Sequence, residues 1–514
     1  MAIEDKVMMH DVQPGSPADS ELGETKGVVV DEKADVGLKF LAQTGPVEYT
    51  NEEVKQVRWK IDLFFLPILC ITFGLQYLDK VTVSYAAIWG LKTDLGLVGQ
   101  EYSWTASIFY FGYLVAEAPA SYLLARFSTR KFAGISVFIW GVMVICCAAA
   151  QNFASIMVLR FLMGIFEAGI GPCWIALTGS FYHKDEQGAR MTAWYSFVGL
   201  AAIVGGLLSY GVGHIDSHLS QWRYVFIICG SLTLAWSLVI YFFLPSDPTE
   251  ARFLTPRQRV IAVERLRANR TGLRSSQFKW SQALQALTDP QCWMIALWSG
   301  ISQITNIAGS FLPLIIKDMG YTGLTTTLLT LPVGGIEIVA MLVAGVLSSN
   351  VKNGRTVIMF FVAAPTLAGI VMLDQLSQDS KWARTAAVWL VLCVPASYAV
   401  LFSLITSNVA GYSKKLTCSA MSFILWCVGN IVSPQLFKAG EAPRYQTGTR
   451  GMLVAIVLVE AITIGLGVYY YLVNKARDRA AAALVQDDRV ADVENEEFLD
   501  RTDKEDWVKF RYSW

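Results

Sequence analysis

The sequence predicts an all-α polytopic membrane protein with twelve transmembrane helices in two six-helix bundles. Three observations carry that prediction. Of the 514 residues, 54% are hydrophobic and 16% charged, against about 25% charged in a soluble domain. Apolar runs of about 20 residues, long enough to cross a hydrocarbon core, recur at 61–82, 104–125, 132–150, 154–177, 190–213, 222–244, 292–315, 323–348, 355–374, 384–408, 417–437 and 452–474. A polar stretch at 246–290 divides them six and six. Two bundles joined by a long loop can rock about a site near the bilayer midplane. No sequence repeat between the halves is evident, so that inference rests on span count and loop placement.

The expected organisation is a disordered cytosolic tail at 1–54, a six-helix bundle at 55–245, a cytosolic central loop with an amphipathic helix at 246–290, a second bundle at 291–474 and a cytosolic tail at 475–514. The first fifty residues are polar and acidic and lack the apolar core of a signal peptide. Basic residues near span ends set the orientation. Lys55, Arg58 and Lys60 precede the first span, Arg126, Arg130 and Lys131 follow the second, and Lys475, Arg477 and Arg479 follow the last. With the arginine-rich centre they place both termini in the cytosol, although Lys438, Arg444 and Arg450 fall on the opposite side. Pro313, Pro332 and Pro395 make the limits of their spans indistinct. In the central loop, Thr255 and Pro256 start a helix. Val260, Ile261, Val263 and Leu266 form its apolar face beside Arg257, Arg259, Arg265 and Arg267. It reads either as a helix on the membrane surface or as a solvated linker. The sequon at Asn269 lies in this cytosolic loop and is expected to be unused.

The composition also narrows the function. Net charge is +0, which gives no general attraction to nucleic acid. The nine cysteines have no metal-ligand spacing and no evident disulfide framework. No nucleophile triad or phosphate loop is present, so an enzyme is not expected, nor a cofactor or a metal. The four histidines lie in the tail or near span ends, so proton coupling would have to use carboxylates.

Charges inside the spans are the functional candidates. Each costs roughly 2.5–3.5 kcal/mol at a helix centre on the insertion scale, and such groups are functional by default. The fourth span, RFLMGIFEAGIGPCWIALTGSFY, carries Arg160 and Glu167 two turns apart on one face, about 10 Å along the axis. Gly164, Gly169, Gly171 and Pro172 let another helix approach and loosen the backbone. A water-filled pathway and a helix-locking ion pair both fit. Asp79 and Lys80 stand near the far end of span 1, either in a cavity or as a surface pair. Glu117, Glu337 and Glu460 are further intramembrane acids that also fit structural roles. An anionic substrate needs a fixed cation, for which Arg160 and Lys80 are available. Gln303, Asn306, Asn408, Asn430 and Gln435 in the second half fit either a polar substrate or interhelical bonding.

The segment LARFSTRK resembles a degenerate major facilitator signature, retaining Arg126, Arg130 and Lys131 with Ala125 where an acid is expected. The ordered set QYLDK, FGYLVAEAPASYLL, RFLMGIFEAGIGPCW, SNVAGYSKK and GNIVSPQLF resembles the anion:cation symporter family, and within it the fungal allantoate permease-like group. The loop EAPRYQTG and the tail EFLDRTDKEDWVKFRY strengthen that resemblance. It implies proton-driven uptake of an organic anion. It also implies an Asp79–Arg160 pair, proton uptake at Glu167 and substrate contact at Lys80, where the family often has arginine. Tyr113 matches a cavity-lining position.

The expected function is therefore secondary active transport of a small organic anion, such as a ureide (allantoate) or a nicotinate-like carboxylate. Glu167 and Asp79 are the proton-coupling candidates. Arg160, Lys80, Tyr113, Gln303 and Asn430 are the substrate-binding candidates, and Arg126, Arg130 and Lys131 form a gating loop. The partners are substrate, protons and the lipid bilayer, with no nucleic acid, and the chain is expected to act as a monomer in the plasma membrane. Export of an acidic metabolite and a transporter-like nutrient sensor are the alternatives.

Overall fold

The computed structural model describes residues 49–267, 279–306, 310–351, 353–486, 501–508 and 510–514. The expected disorder of the N-terminal tail through residue 48 and the sequon at Asn269 lie outside the described residues. Among the described residues ten helices are long and apolar enough to cross a membrane: Asn51–Ile88, Thr129–Cys147, Phe153–Phe181, Glu186–Val212, Gln221–Phe243, Gly323–Ser348, Arg355–Gln375, Lys381–Asn408, Tyr412–Leu436 and Gln446–Ala483. Two more occupy the remaining positions. Glu101–Arg126 is continuous over 26 residues. Pro290–Ile304 ends early, and Leu312–Asp318 continues beyond a break. Numbered in chain order, these are spans 1 to 12, with the broken pair as span 7.

The interruptions have local causes. Span 4 breaks between Phe153–Glu167 and Ile170–Phe181. Pro172 lacks an N–H, and its ring crowds the carbonyl four residues back, which belongs to Ala168. Pro313, Pro332 and Pro395 each sit in the first turn of a helical segment, where the missing N–H has no helical partner to lose. The first and last helices overrun the apolar limits. Span 1 starts at Asn51 behind a Thr50–Glu53 capping box, and the last helix runs from Gln446 to Gln486.

Glycine permits close crossings. A Cβ on Gly164 of span 4 would lie 2.1 Å from the Phe109 carbonyl oxygen of span 2. Between the halves, a Cβ on Gly334 of span 8 would lie 2.2 Å from the Gly199 carbonyl oxygen of span 5. Hydrogen bonds between described residues of the two halves all lie towards the end away from the termini. Tyr102 donates to the Ser310 carbonyl at 2.5 Å, Lys317 to the Ile88 carbonyl at 2.6 Å, Ser107 to the Ile431 carbonyl at 2.8 Å and Gln435 to Ser107 at 3.0 Å. The hydroxyls of Tyr85 and Thr330 pair at 3.3 Å. The structure is therefore sealed on the face opposite the termini.

Two segments read as peripheral are docked. The Pro256–Arg267 helix buries Val260, Ile261, Ala262 and Val263. Arg257 pairs with Glu53 at 2.8 Å and Arg265 with Glu186 at 3.2 Å. Its apolar face is covered by the first half of the protein, not by a membrane surface or by water. At the C-terminus, residues 501–508 and 510–514 return to the second half. Lys414, Asp289 and Asp503 are fully buried, with Lys414 Nζ 2.6 Å from Asp289 and 2.7 Å from Asp503. Tyr512 donates to Asp503 at 2.5 Å. Arg477 donates to the carbonyls of Asp503 and Phe510 and lies 4.2 Å from the Tyr512 ring centroid. Asn408 and Asn474 each exchange paired hydrogen bonds with the backbone of Ser513 and Tyr512.

Candidate functional site

Adjacent residues on a helix point roughly 100° apart, and the structure uses that divergence at Asp79 and Lys80. Asp79 is fully buried and turns to span 6, where Thr233 donates to its Oδ2 at 3.1 Å. This rules out the surface-pair reading of the two residues. Lys80 turns towards spans 2, 4 and 11. Its Nζ lies 3.0 Å from Oε1 of the fully buried Glu167. The approach lacks hydrogen-bond angles, so the contact is an ion pair and not an aligned hydrogen bond.

Three rings surround the ammonium. Lys80 Nζ lies 5.9 Å from the centroid of Phe109 and 5.7 Å from those of Tyr113 and Trp426, within cation–π range. Tyr113 and Phe109 come from span 2, Trp426 from span 11. Phe423 stacks on Trp426 at 5.2 Å and meets Tyr113 at 5.4 Å. The aromatic wall thus spans both halves, with Lys80 and Glu167 beside it.

Arg160 is buried but does not hold Asp79. Its Nε donates to the Thr105 carbonyl at 3.4 Å, its side chain reaches Met163 Sδ at 3.6 Å, and its guanidinium sits 5.0 Å from the Phe109 centroid. Among the described residues no carboxylate lies within the 4.0 Å ion-pair distance of Arg160. The expected Asp79–Arg160 pair is therefore absent here, because Asp79 faces span 6 while Arg160 lies against span 2. The acid seven residues after Arg160 is paired with Lys80 instead.

The polar groups of the second half separate. Asn430 and Asn306 both donate to Gln303 Oε1, at 3.4 and 3.3 Å, and Asn430 also donates to the Trp426 carbonyl at 2.9 Å. That places the Gln303–Asn430 cluster one turn from the aromatic wall. Asn408 ties span 10 to Ser513 of the C-terminal segment, and Gln435 links the end of span 11 to Ser107 of span 2. Glu337 is buried in span 8, and among the described residues its Oε2 has no hydrogen-bond partner, nor has either Glu460 oxygen. Arg126 is the last residue of span 2, where it stacks 4.9 Å over Tyr122, and Arg130 and Lys131 lie in the first turn of span 3, so the expected gating loop places its three cations on helix ends. Sequence reasoning missed Phe109, Thr233, Phe423 and Trp426. Trp426 lies four residues before Asn430, on the same helical face, which was the available signal.

Residues 69–473 match the Major Facilitator Superfamily model. The chain belongs to the major facilitator superfamily. It is 46% identical to an uncharacterized transporter of Schizosaccharomyces pombe over 96% of this chain and 94% of that one. It is 34% identical to the allantoate permease of Saccharomyces cerevisiae over 95% of this chain and 92% of the permease. The crystal structure of a D-xylose-proton symporter superposes with a TM-score of 0.59 at 13% identity, covering 77% of this chain and 97% of that one. The last likeness concerns the fold alone. As a major facilitator protein this chain is a multi-pass membrane transporter and not an enzyme, and its relatives fit the allantoate permease-like group that its motifs resemble.

Proposed function

We propose that the protein takes up a small organic anion together with protons, by alternating access across the plasma membrane, with both termini in the cytosol. The single observation that supports this most is the Lys80–Glu167 ion pair of 3.0 Å beside an aromatic wall shared by the two halves. A carboxylate substrate and Glu167 compete for the same ammonium. Protonation of Glu167 removes its charge and frees Lys80 to receive the substrate carboxylate. When the proton leaves, Glu167 reclaims Lys80 and the anion is released. Proton and substrate are thereby linked through one cation, with Tyr113 flanking the bound anion. Arg160 contributes further positive potential, Asp79 holds a second exchangeable proton, and Gln303 and Asn430 contact the substrate's neutral polar groups. Arg126, Arg130 and Lys131 act in gating on the side of the termini.

The similarity to an allantoate permease favours a ureide carboxylate and the direction of uptake. A competition screen of organic acids in expressing cells, with intracellular pH followed as each acid is added, tests the reading. Transported acids should acidify the cytosol in proportion to their uptake. Uptake with no pH change would exclude proton coupling.

A further inference from the structure

A second ionic site lies where span 3 begins and span 6 ends, on the side of the termini. Ser128 accepts from the Lys131 N–H and starts span 3, which puts Arg130 and Lys131 in its first turn. Span 6 ends at Phe243, and Arg252 follows the short turn Pro248–Glu250. Arg130, Lys131 and Arg252 line a cavity of about 180 Å³ together with Tyr241 and Phe242. No acid lines it. Among the described residues none of the three cations has a carboxylate within 4.0 Å. Asp247, close in sequence, instead accepts from the Thr249 backbone and hydroxyl. Residue 125, just before the loop, is alanine. Three like charges around one cavity repel each other unless a counter-charge sits among them.

The surroundings indicate where that charge comes from. Tyr241 has the amphipathic ring that sits at headgroup depth, and Phe127, Phe242 and Phe243 expose apolar rings beside it at the ends of their spans. Basic pockets between helices at that depth suit anionic headgroups. We propose that this cavity binds the phosphate of an anionic phospholipid, whose oxygens take the donors of Arg130, Lys131 and Arg252 and supply the missing negative charge. A free phosphate would have the same oxyanion chemistry, but it would leave the aromatic rim uncovered.

The test uses the full-length protein in detergent, followed by native mass spectrometry during titration with phosphatidylinositol, phosphatidylcholine or inorganic phosphate. Phosphatidylinositol should be retained at lower concentration than phosphatidylcholine. R252Q should weaken phosphatidylinositol binding about fivefold, with phosphatidylcholine unaffected. R257Q removes a cation paired with Glu53 elsewhere on the same side and should leave lipid retention unchanged. Equal loss in R252Q and R257Q would mean diffuse charge attraction and would overturn the site. Displacement of the lipid by millimolar inorganic phosphate would overturn the lipid assignment.

Discussion

Replacing Lys414 with methionine should release the C-terminal strap. Lys414 is fully buried and is 2.6 and 2.7 Å from the carboxylates of Asp289 and Asp503, themselves fully buried. Methionine fills most of the space but leaves the two acids close together. Their remaining partners are Gln291, which donates to both at 3.2 and 3.0 Å, Tyr512, and Lys504, 3.6 Å from Asp289. Removing one partner from a buried ionic cluster costs about 3–5 kcal/mol. At about 1.4 kcal/mol per tenfold, local opening rises by roughly a hundredfold to several thousandfold. Hydrogen–deuterium exchange reads this directly at the amides of Tyr512 and Ser513, which donate to Asn474 and Asn408. Exchange there should accelerate by at least about a hundredfold, while amides buried in the first half keep their rates. The triple variant K414M/D289N/D503N, which removes the stranded charges, should recover part of the protection. Unchanged exchange in K414M would refute the idea that the buried ions hold the strap.

Three further outcomes follow from the geometry. Gly164→Ala puts a Cβ 2.1 Å from the Phe109 carbonyl oxygen, so spans 2 and 4 must separate; a loss of about 1–3 kcal/mol should appear as a lower thermal midpoint and a poorer monodisperse yield. Tyr102→Phe removes the hydrogen bond to Ser310. At about 1 kcal/mol, the state sealed opposite the termini should lose population roughly fivefold relative to its competitor, seen as a longer distance between spin labels at Val98 and Gln378. Trp426→Ala removes one ring around Lys80. At about 0.5–2 kcal/mol for a cation–π contact, KM should rise by a few-fold up to about thirtyfold, with the proton-to-substrate ratio unchanged.

Hydropathy made most of the fold legible, because a span must be apolar over about 20 residues. It marked spans 2 and 7 less sharply. Span 2 carries Glu101, Glu117 and Arg126, and the helix of span 7 stops at Ile304 before resuming at Leu312. The charged site residues were visible for the same reason: Asp79, Lys80, Arg160 and Glu167 interrupt otherwise apolar helices. Their partners were not. Spacing along one helix fixes which residues share a face, but not which neighbouring helix that face meets. Asp79 could therefore be expected against Arg160, although in the structure Asp79 meets Thr233 and Lys80 meets Glu167. The strap escaped for a related reason. A polar, charged C-terminus reads as a tail when the buried partners that neutralise it, Lys414, Asp289 and Arg477, lie 26 to more than 200 residues away in the chain.

The central claim is that Glu167 and the substrate share Lys80. Glu167→Gln is nearly isosteric and permanently neutral, so it leaves Lys80 free whatever the pH. In proteoliposomes the variant should retain substrate exchange across the membrane with a weakened dependence on external pH, and accumulation driven by a proton gradient should fall to what the Asp79 proton alone can drive. Full gradient-driven accumulation by Glu167→Gln would contradict the account.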